Sequence, residues 1–425
     1  MSAKEAPEIR DIDVSAANLE ASACPWATHA KLRERGPVVK YPTPTGHSQY
    51  AVTRYEDVVA ALQDPRFAKD SRHMAELFPA GGATAQQSGF VLSGASSRHL
   101  LNTDPPDHTR LRRLVSRAFT PRRVASLRPR IQEIVDGLLD DLARSEAPDL
   151  IGDFAFALSI TVICELLGVP AEHRADFRTW SVAATTPAGD DPSAIQEAGR
   201  RLNEFLTDHI ATKRADLAGH TDPRTAPDVL SAMIISRDAD DGLSDSELVG
   251  MAFLLLIAGH ETTVGLIGSM ALGLWRHQDQ RRLILDDPGL IDSAIEEFLR
   301  FEGAVQRSTF RVATEDVEIA DTRIPKGSMV TMLIGSANHD PDHFDNPDEL
   351  DITRDPDRHV AFGQGIHFCL GAPLARAEAA IAISTLLKRF PTYSVTAPDD
   401  ELTYQPTVIR ALAALPVELE PKDFE

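Results

Sequence analysis

The stretch "FGQGIHFCLGAPLAR", Phe362 to Arg376, places one cysteine between a glycine-rich turn and the start of an apparent helix. Gly363 and Gly365 permit backbone conformations and close approaches that a side chain would forbid. Pro373 suits a first helical turn, because its missing N–H would have no partner there. Cys369 is therefore predicted to lie at a helix N-terminus, where free N–H groups and the helix dipole stabilise a thiolate and lower the thiol pKa.

Three roles are open to Cys369 on this pattern alone. A single cysteine is most often inert packing. A zinc site is disfavoured, because His367 and Cys369 would need further ligands and the other cysteines, Cys24 and Cys164, are remote in sequence. A cysteine nucleophile is not excluded, because its partner histidine could come from anywhere along the chain.

Composition narrows the class of protein. The 425 residues carry a net charge of −21, which argues against a nucleic-acid binder that needs a basic surface. Three well-separated cysteines fit a reducing compartment rather than a disulfide framework. The first residues lack an apolar signal segment, and the longest apolar run, Leu248–Gly259, is shorter than the roughly 20 residues of a membrane span. We therefore expect a soluble cytoplasmic protein that binds no membrane.

The pattern of elements is mainly α with a small β region. "SQYAVTR" is typical of a strand and "YEDVVAALQD" of a helix ended by Pro65. Residues 109–300 are mostly helical in pattern, and strand-like pieces follow within 308–335. A last helix is predicted over Ala372–Arg389. No clean domain boundary is visible, so we expect a polar tail, 1–25, and one domain, 26–425, in a monomeric protein.

One long helix is predicted to cross the core. Ser244 and Glu247 have the spacing of a capping box, and hydrophobicity then runs almost all round the helix. Burying Glu261 in its middle is costly unless the carboxylate has partners or water. Thr262 follows it directly. The alternative for this threonine is an ordinary bond back to the carbonyl of Ala258.

The full motif around Cys369 decides among its possible roles in packing, in a zinc site or as a nucleophile. "FGQGIHFCLG" resembles, glycine for glycine, the haem-ligand loop of the cytochrome P-450 monooxygenases, in which a cysteine thiolate ligates the iron. The resemblance implies the cytochrome P-450 fold and haem b as cofactor. Cys369 would be the axial iron ligand, and His367 would bond a haem propionate. Backbone N–H groups at Gly371 would lie near the sulfur and tune it.

The long helix carries a second matching motif. "AGHETT", which begins at Ala258, resembles the oxygen-activation motif of the same family. The resemblance implies that Ala258 and Gly259 border the haem, with Gly259 letting dioxygen or water approach the backbone. Thr262 and Glu261 would activate dioxygen by passing protons from solvent. His260 receives no role.

Three further basic or imidazole side chains match haem-edge positions of the family. "DPPDHTRLRRL" resembles the segment whose histidine and second arginine face the propionates, here His108 and Arg112. Their spacing puts both on one helix face. Arg311, in "STFRVATEDV", matches another propionate arginine. Taken singly, each would be interpreted as a solvated surface charge.

A structural triad is also implied. "EEFLR" resembles the family's E-x-x-R pair, which would make Glu297 and Arg300 a buried structural contact rather than an exposed helix pair. Arg354, in "ELDITRD", would be its third member. These residues hold the fold and take no part in the chemistry.

A basic stripe interrupts the acidic chain. The segment from His108 to Arg130 contains eight arginines and no acid. Such a stripe is either solvated or a docking face for an acidic electron donor. We favour docking, by a group of four arginines: Arg113, Arg117, Arg122 and Arg123.

The resemblance implies a monooxygenase that takes electrons from NAD(P)H in trans, because no dinucleotide fingerprint is present. The donors would be a ferredoxin and its reductase. Two alternatives are a peroxide-using haem-thiolate enzyme and a haem sensor or carrier without turnover. Neither would need the Glu261–Thr262 pair.

For the substrate, phrases such as "ICELLGVP" and "IEEFLRFEG" resemble the bacterial subgroup that tailors polyketide macrolides, and steroid or secosteroid hydroxylation is the alternative. The loop 71–100 is long, small and polar, as expected of a lid over a bulky ligand. The oxidised carbon and the choice between hydroxylation and epoxidation do not follow from the sequence. Five segments would form the pocket: Gly81–Leu100, Thr185–Pro192, Phe253–Ala258, Ala304–Ser308 and Val408–Ile409.

Overall fold

The computed structural model of the chain describes residues 4–14, 19–42, 48–70, 72–73, 98–176, 179–180, 192–237, 242–355, 358–405 and 407–420. Most of the predicted lid, 71–100, and most of the predicted pocket turn, 185–192, lie outside these residues.

Helices dominate the described chain. In chain order they are α1 Trp26–Arg35, α2 Tyr55–Gln63, α3 Asp107–Ala118, α4 Pro121–Leu142, α5 Ala157–Leu166, α6 Pro192–Asp216, α7 Val229–Arg237, α8 Asp245–Arg276, α9 Gln278–Asp286, α10 Ile291–Phe301, α11 Ile334–Asn338 and α12 Ala372–Arg389. A π-helical segment, Leu150–Phe156, leads into α5. The expected last helix has the bounds predicted from the sequence.

The central helix α8 begins with the predicted capping box. The backbone N–H of Ser244 donates to Glu247 Oε2 at 2.8 Å, and the Glu247 N–H donates to Ser244 Oγ at 3.2 Å. Among the described helices, α8 alone is long and apolar enough to cross a membrane, and 72% of its apolar window is buried inside the protein. It is therefore a core helix, because its apolar surface is covered by the rest of the chain.

Within the described residues, short strands form three sheets. The strands are β1 Lys4–Glu5, β2 Val38–Pro42, β3 Ser48–Val52, β4 Phe67–Ala68, β5 Arg311–Ala313, β6 Val317–Ile319, β7 Thr322–Ile324, β8 Met329–Met332, β9 Ser394–Val395 and β10 Val417–Glu418. The largest sheet has five strands in the order β2-β3-β8-β5-β4, and only its β3–β8 pairing is parallel. A three-stranded sheet, β1-β7-β6, and a β10-β9 pair complete the β region.

The described residues of the expected polar tail, 4–14 and 19–25, contact the rest of the chain. β1 pairs in parallel with β7, and Ile9 is only 1% exposed. The buried carboxylate of Glu20 accepts a bond from Arg307 Nη2 at 2.6 Å. Polar composition concealed this packing, because the few apolar residues involved are spread over a short, irregular stretch.

The cysteine loop is positioned by the helices on either side of it. α12, which follows the loop, packs against α4, α8 and α10, and α8 packs in turn against α5. On the other side, α2 contacts both the main sheet and the turn Gly365–His367 of the loop. The loop therefore lies between the helical core and the sheet.

Candidate active site

The loop around Cys369 has the backbone that its glycines predict. Gly363 and Gly365 both have φ +71°, in the left-handed region. A Cβ at Gly365 would also lie 3.2 Å from Gln63 Cγ, so this glycine lets the loop pack tightly on α2. The Cys369 N–H donates to the Phe362 carbonyl at 2.9 Å and closes the loop. The position of the sulfur is thus fixed by backbone geometry.

Cys369 lies just before α12, as expected, but its thiol pKa shifts in the opposite direction. Burial raises the pKa of the thiol, against the lowering expected from the helix N-terminus. N–H groups of Gly371 and Ala372 bond the sulfur, and the Arg112 and Arg376 guanidinium groups also favour the thiolate. Desolvation outweighs them, although the residue keeps some accessible surface. A bound metal ion would reverse this balance, because it deprotonates a coordinating thiol.

Side chains from α3, β5 and the cysteine loop form a basic cluster beside Cys369. The His108 and His367 rings meet edge to face, with centroids 4.5 Å apart. Arg112 follows His108 by one helical turn and favours the Cys369 thiolate, and Arg311 Nη1 donates to the Leu62 carbonyl at 3.0 Å. Burial lowers the pKa of His367 to about 2 and that of Arg311 to about 10. The four predicted propionate residues therefore surround one region.

This cluster has unsatisfied hydrogen-bonding nitrogen atoms. Within the described part of the chain, His108 Nε2, His367 Nε2 and Arg311 Nε are buried without a partner. Buried polar atoms in proteins almost always have one. Converging nitrogens that lack acceptors suit an anionic ligand, and the two carboxylates of haem b fit this need beside a cysteine thiolate. The residues present thus fit the cofactor that the sequence resemblance implied.

The other two cysteines and the acidic and imidazole side chains bear on the metal chemistry open to Cys369. In the residues that the structure describes, no three His, Cys, Asp or Glu side chains are grouped so that they could hold a metal ion. Cys164 is buried on α5, and Cys24 is exposed. A single cysteine ligand is how haem iron is bound in haem-thiolate proteins, and Cys369 is suited to that role.

On α8, Thr262 and Glu261 are adjacent to an imidazole that the sequence analysis left without a role. Thr262 Oγ1 donates to the Ala258 carbonyl at 2.9 Å, which is the ordinary alternative considered for this residue. Glu261 is 6% exposed, and its Oε1 lies 3.2 Å from His260 Nε2. His260 Nδ1 is 2.7 Å from the Leu256 carbonyl. The acid–alcohol pair is thus built into a mostly buried, polar part of the helix.

Gly259 has a packing explanation that the sequence analysis did not foresee. A Cβ at this position would lie 2.8 Å from Ile163 Cδ1 on α5, closer than real side chains approach. The glycine therefore lets α8 and α5 pack together. Access of dioxygen or water to the backbone is not needed to explain it.

Glu297, Arg300 and Arg354 are brought together. Arg300 Nε and Nη2 each donate to the Glu297 carboxylate at 2.8 Å, and both side chains are 2% exposed. Arg354 Nε adds a bond to Glu297 Oε1 at 3.3 Å. Both arginines also donate to backbone carbonyls of the irregular segment 338–349. The pairs thus fix a stretch that has little regular structure of its own.

The arginines of the basic stripe do not form one group. Arg113, Arg117 and Arg122 are exposed. Arg123 is half-buried and donates from Nη2 to the Ala226 carbonyl at 2.9 Å. Burial also lowers its pKa. Arg123 therefore joins α4 to the loop before α7, and a docking surface would consist of the other three.

Two predicted pocket segments are joined by a residue that sequence reasoning missed. The Arg410 N–H donates to the Ala304 carbonyl at 2.8 Å, and its guanidinium is buried over the Tyr404 ring. Gln306, also in the Ala304–Ser308 segment, contacts His29 at 3.1 Å and faces the protein interior. A charged residue closing the apolar stretch "TVIR" was the available signal for Arg410.

Comparisons with known proteins agree with this geometry. The profile of the cytochrome P450 family matches residues 285–415. Cytochrome P450 107B1 of Saccharopolyspora erythraea is 47% identical over 391 residues, which are 92% of this chain and 93% of that one. Vitamin D(3) 25-hydroxylase of Pseudonocardia autotrophica is 44% identical over 402 residues, 94% of each chain.

Two further likenesses are to a named hydroxylase and to a solved monooxygenase structure. The 6-deoxyerythronolide B hydroxylase of Saccharopolyspora erythraea is 39% identical over 405 residues, 93% of this chain and 96% of that one. The solved structure of the tirandamycin C-bound P450 monooxygenase TamI is similar with a TM-score of 0.83 and 41% identity, over 97% of this chain and 100% of that one. These likenesses extend over nearly the whole of both chains.

Proposed function

The chain belongs to the cytochrome P450 monooxygenases, and from that premise we propose that it oxidises a bulky apolar polyketide, a macrolide, with electrons from a ferredoxin. Its cofactor is haem b, its co-substrate is O2, and NAD(P)H is the electron source through redox partners. The observation that carries the proposal is the set of three partnerless buried nitrogens beside Cys369. They suit the haem carboxylates, and the cysteine suits its iron.

Haem b, when bound, supplies the iron centre at which dioxygen is reduced and its O–O bond is split, aided by thiolate donation. Cys369 is the ligand that we assign to this iron. The N–H groups of Gly371 and Ala372 donate to its sulfur and so moderate its charge. His108, Arg112, Arg311 and His367 would hold the two carboxylates.

Thr262 and Glu261 are assigned to proton delivery. The Thr262 hydroxyl donates to the Ala258 carbonyl, and rotation about one side-chain bond would free that proton for transfer. Glu261 is mostly buried on the same turn, where its carboxylate can take up a proton and pass it on. This pair favours O2 chemistry over a peroxide-using enzyme or a haem sensor, since neither alternative needs protons delivered there.

The substrate class is supported by two relatives. One hydroxylates 6-deoxyerythronolide B and the other vitamin D(3), and both are matched over at least 93% of this chain. Both names denote bulky, mainly apolar molecules. We place the macrolide first because the tirandamycin C-bound relative also binds a complex natural product. A secosteroid is the second candidate.

Optical titration of the holoenzyme tests this choice. A ligand that displaces water from the iron moves the haem Soret band from its low-spin to its high-spin position. Saturable shifts with macrolactones but not with secosteroids would support polyketide tailoring. Shifts with secosteroids alone would overturn it while leaving the monooxygenase assignment intact. Incubation of the shifting compound with NAD(P)H, ferredoxin and reductase should then give a product heavier by one oxygen atom in mass spectrometry.

The electron donor is proposed on charge. Three exposed arginines, Arg113, Arg117 and Arg122, lie on α3 and α4 in a chain of net charge −21. An acidic ferredoxin would be repelled by most of this surface and attracted to the basic stripe. We expect the reaction to take place in the cytoplasm, where NAD(P)H is supplied.

A further inference from the structure

Lys69 is a buried lysine that none of the sequence motifs includes. It follows β4 directly and is 7% exposed. The N–H groups of Lys69 and Asp70 donate to the Asp104 carboxylate at 2.8 to 3.1 Å. These bonds fix the backbone of Lys69 against the segment that leads into α3.

The Lys69 ammonium group lacks a carboxylate partner. Within the described residues, Nζ forms no ion pair and donates to Thr309 Oγ1, two residues before Arg311. Burial, together with a smaller effect of the nearby Arg311, lowers the pKa of Lys69 to about 7. Lysines are seldom buried in this way unless a charge compensates them. The Asp104 carboxylate favours the charged form from a distance, but within the described residues it forms no ion pair with the ammonium group.

The position of Lys69 coincides with the basic cluster described above. β4 pairs antiparallel with β5, with Ala68 opposite Val312, so the next residue, Lys69, comes beside Arg311 of the cluster. Arg311, in turn, lowers the pKa of Lys69. Five basic groups therefore converge where the unpaired nitrogens are found: Lys69, Arg112, Arg311 and the imidazoles of His108 and His367.

We propose that Lys69 is a further haem-binding residue, whose ammonium group pairs with a haem carboxylate beside Arg311 and His367. The inference rests on the proposed placement of the carboxylates in this cluster. A bound carboxylate would supply the missing counter-charge and keep the lysine protonated at neutral pH. Thr309 would orient the ammonium group toward it through the hydroxyl contact.

The rate of haem loss from the holoenzyme tests the proposal without reference to turnover. Lys69→Met keeps the length of the side chain and removes its charge. We expect haem transfer from this variant to excess apomyoglobin to be about tenfold faster, which corresponds to about 1.4 kcal/mol. Lys69→Arg should stay near the wild-type rate. The exposed Lys31, changed to Met, is the matched control and should lose haem at the wild-type rate.

Haem dimethyl ester separates a direct pair from a structural effect. With both carboxylates esterified, wild type and Lys69→Met should lose the cofactor at equal rates, because the counter-charge is gone. A persistent difference would show that Lys69 acts on the protein and would overturn the proposal. So would a wild-type rate for Lys69→Met with ordinary haem.

Arg311→Leu distinguishes this inference from its premise. If Arg311→Leu accelerates haem loss and Lys69→Met does not, the carboxylates are placed correctly and only the lysine is wrong. If neither accelerates it, the carboxylates do not lie in this cluster. Circular dichroism of each variant confirms that the helices are intact.

Discussion

Cys369 experiences two opposing influences inside the protein. Burial favours the neutral thiol and raises its pKa, while N–H bonds from Gly371 and Ala372 and the nearby arginines favour the thiolate. The outcome is set by desolvation, which acts on the whole group, whereas the N–H bonds act on one side of the sulfur. Only a strong positive centre, such as ligated iron, would shift the balance to the thiolate.

Replacement of the sulfur tests this assignment. We expect Cys369→Ser to lose the thiolate-type spectrum of the reduced carbon monoxide complex, because oxygen is a poorer donor to iron than thiolate sulfur. The exposed Cys24, changed to Ser, should retain it. A thiolate-type spectrum in Cys369→Ser would refute the ligand assignment.

The neighbouring threonines of α8 give a matched pair of variants. Thr262→Ala removes the hydroxyl proposed to deliver protons, so we expect product formed per NAD(P)H consumed to fall about tenfold or more. Thr263→Ala removes a hydroxyl that contacts the Gly259 carbonyl at 3.4 Å, and should leave this ratio near wild type. Oxygen, NAD(P)H and product are measured together. Unchanged coupling in Thr262→Ala would leave the hydroxyl with only its helical bond.

At the scale of elements, the helix α12 carries a buried acidic residue that bears on stability. It is buried against α4, α8 and α10, yet it carries Glu378, which is 1% exposed. Burial raises the pKa of Glu378 to about 8, and the Ser159 hydroxyl on α5 offsets this only in part. At neutral pH the side chain is therefore mostly protonated, which avoids the cost of an unpaired buried charge.

This shift predicts how stability depends on pH. The native protein keeps the Glu378 proton up to about pH 8, whereas an unfolded chain releases it near 4.5. The native state binds more protons between these values, so its stability falls as pH rises, by up to about 1.4 kcal/mol per pH unit from this group.

Glu378→Gln keeps the shape of the side chain and removes the titration. We expect its free energy of unfolding in urea to decline less between pH 6 and pH 8 than that of wild type. Glu401→Gln, at an exposed position, should behave as wild type does. Equal declines in wild type and Glu378→Gln would mean that Glu378 ionises normally.

At the scale of the whole molecule, docking of an electron donor depends more on where the charges lie than on the net charge. An acidic chain presents exposed Arg113, Arg117 and Arg122 on consecutive helices, while Arg123 beside them is engaged with a backbone carbonyl. Long-range attraction depends on such clusters and weakens with salt.

Reversing the three exposed charges tests the docking surface. With all three arginines changed to Glu, we expect ferredoxin-dependent reduction to slow roughly tenfold at low salt and to lose most of its salt dependence. The same change at Arg144, Arg224 and Arg323, exposed elsewhere, should have little effect. Reduction by dithionite should be equal in all variants. If both triple variants slow equally, net charge rather than this surface controls docking.

Local rules determined much of this protein from its sequence. The capping box Ser244–Glu247, the left-handed glycines of the cysteine loop and the start of α12 at Ala372 depend on neighbouring residues, and all were predicted. The motif of the cysteine loop also identified the protein family, because its pattern of residues is long and specific. Such features need only a short stretch of chain, so the sequence contains them completely.

Tertiary structure alone decided the properties that depend on burial and on contacts between residues distant in sequence. Five features depend on residues far away in sequence: the thiol pKa of Cys369, the packing of Gly259 on Ile163, the hydrogen bond of Arg123, the packing of the N-terminal segment and the burial of Lys69. Desolvation and close contact arise only when separate elements meet, because a residue's charge state is set by everything that surrounds it. No local pattern records those neighbours.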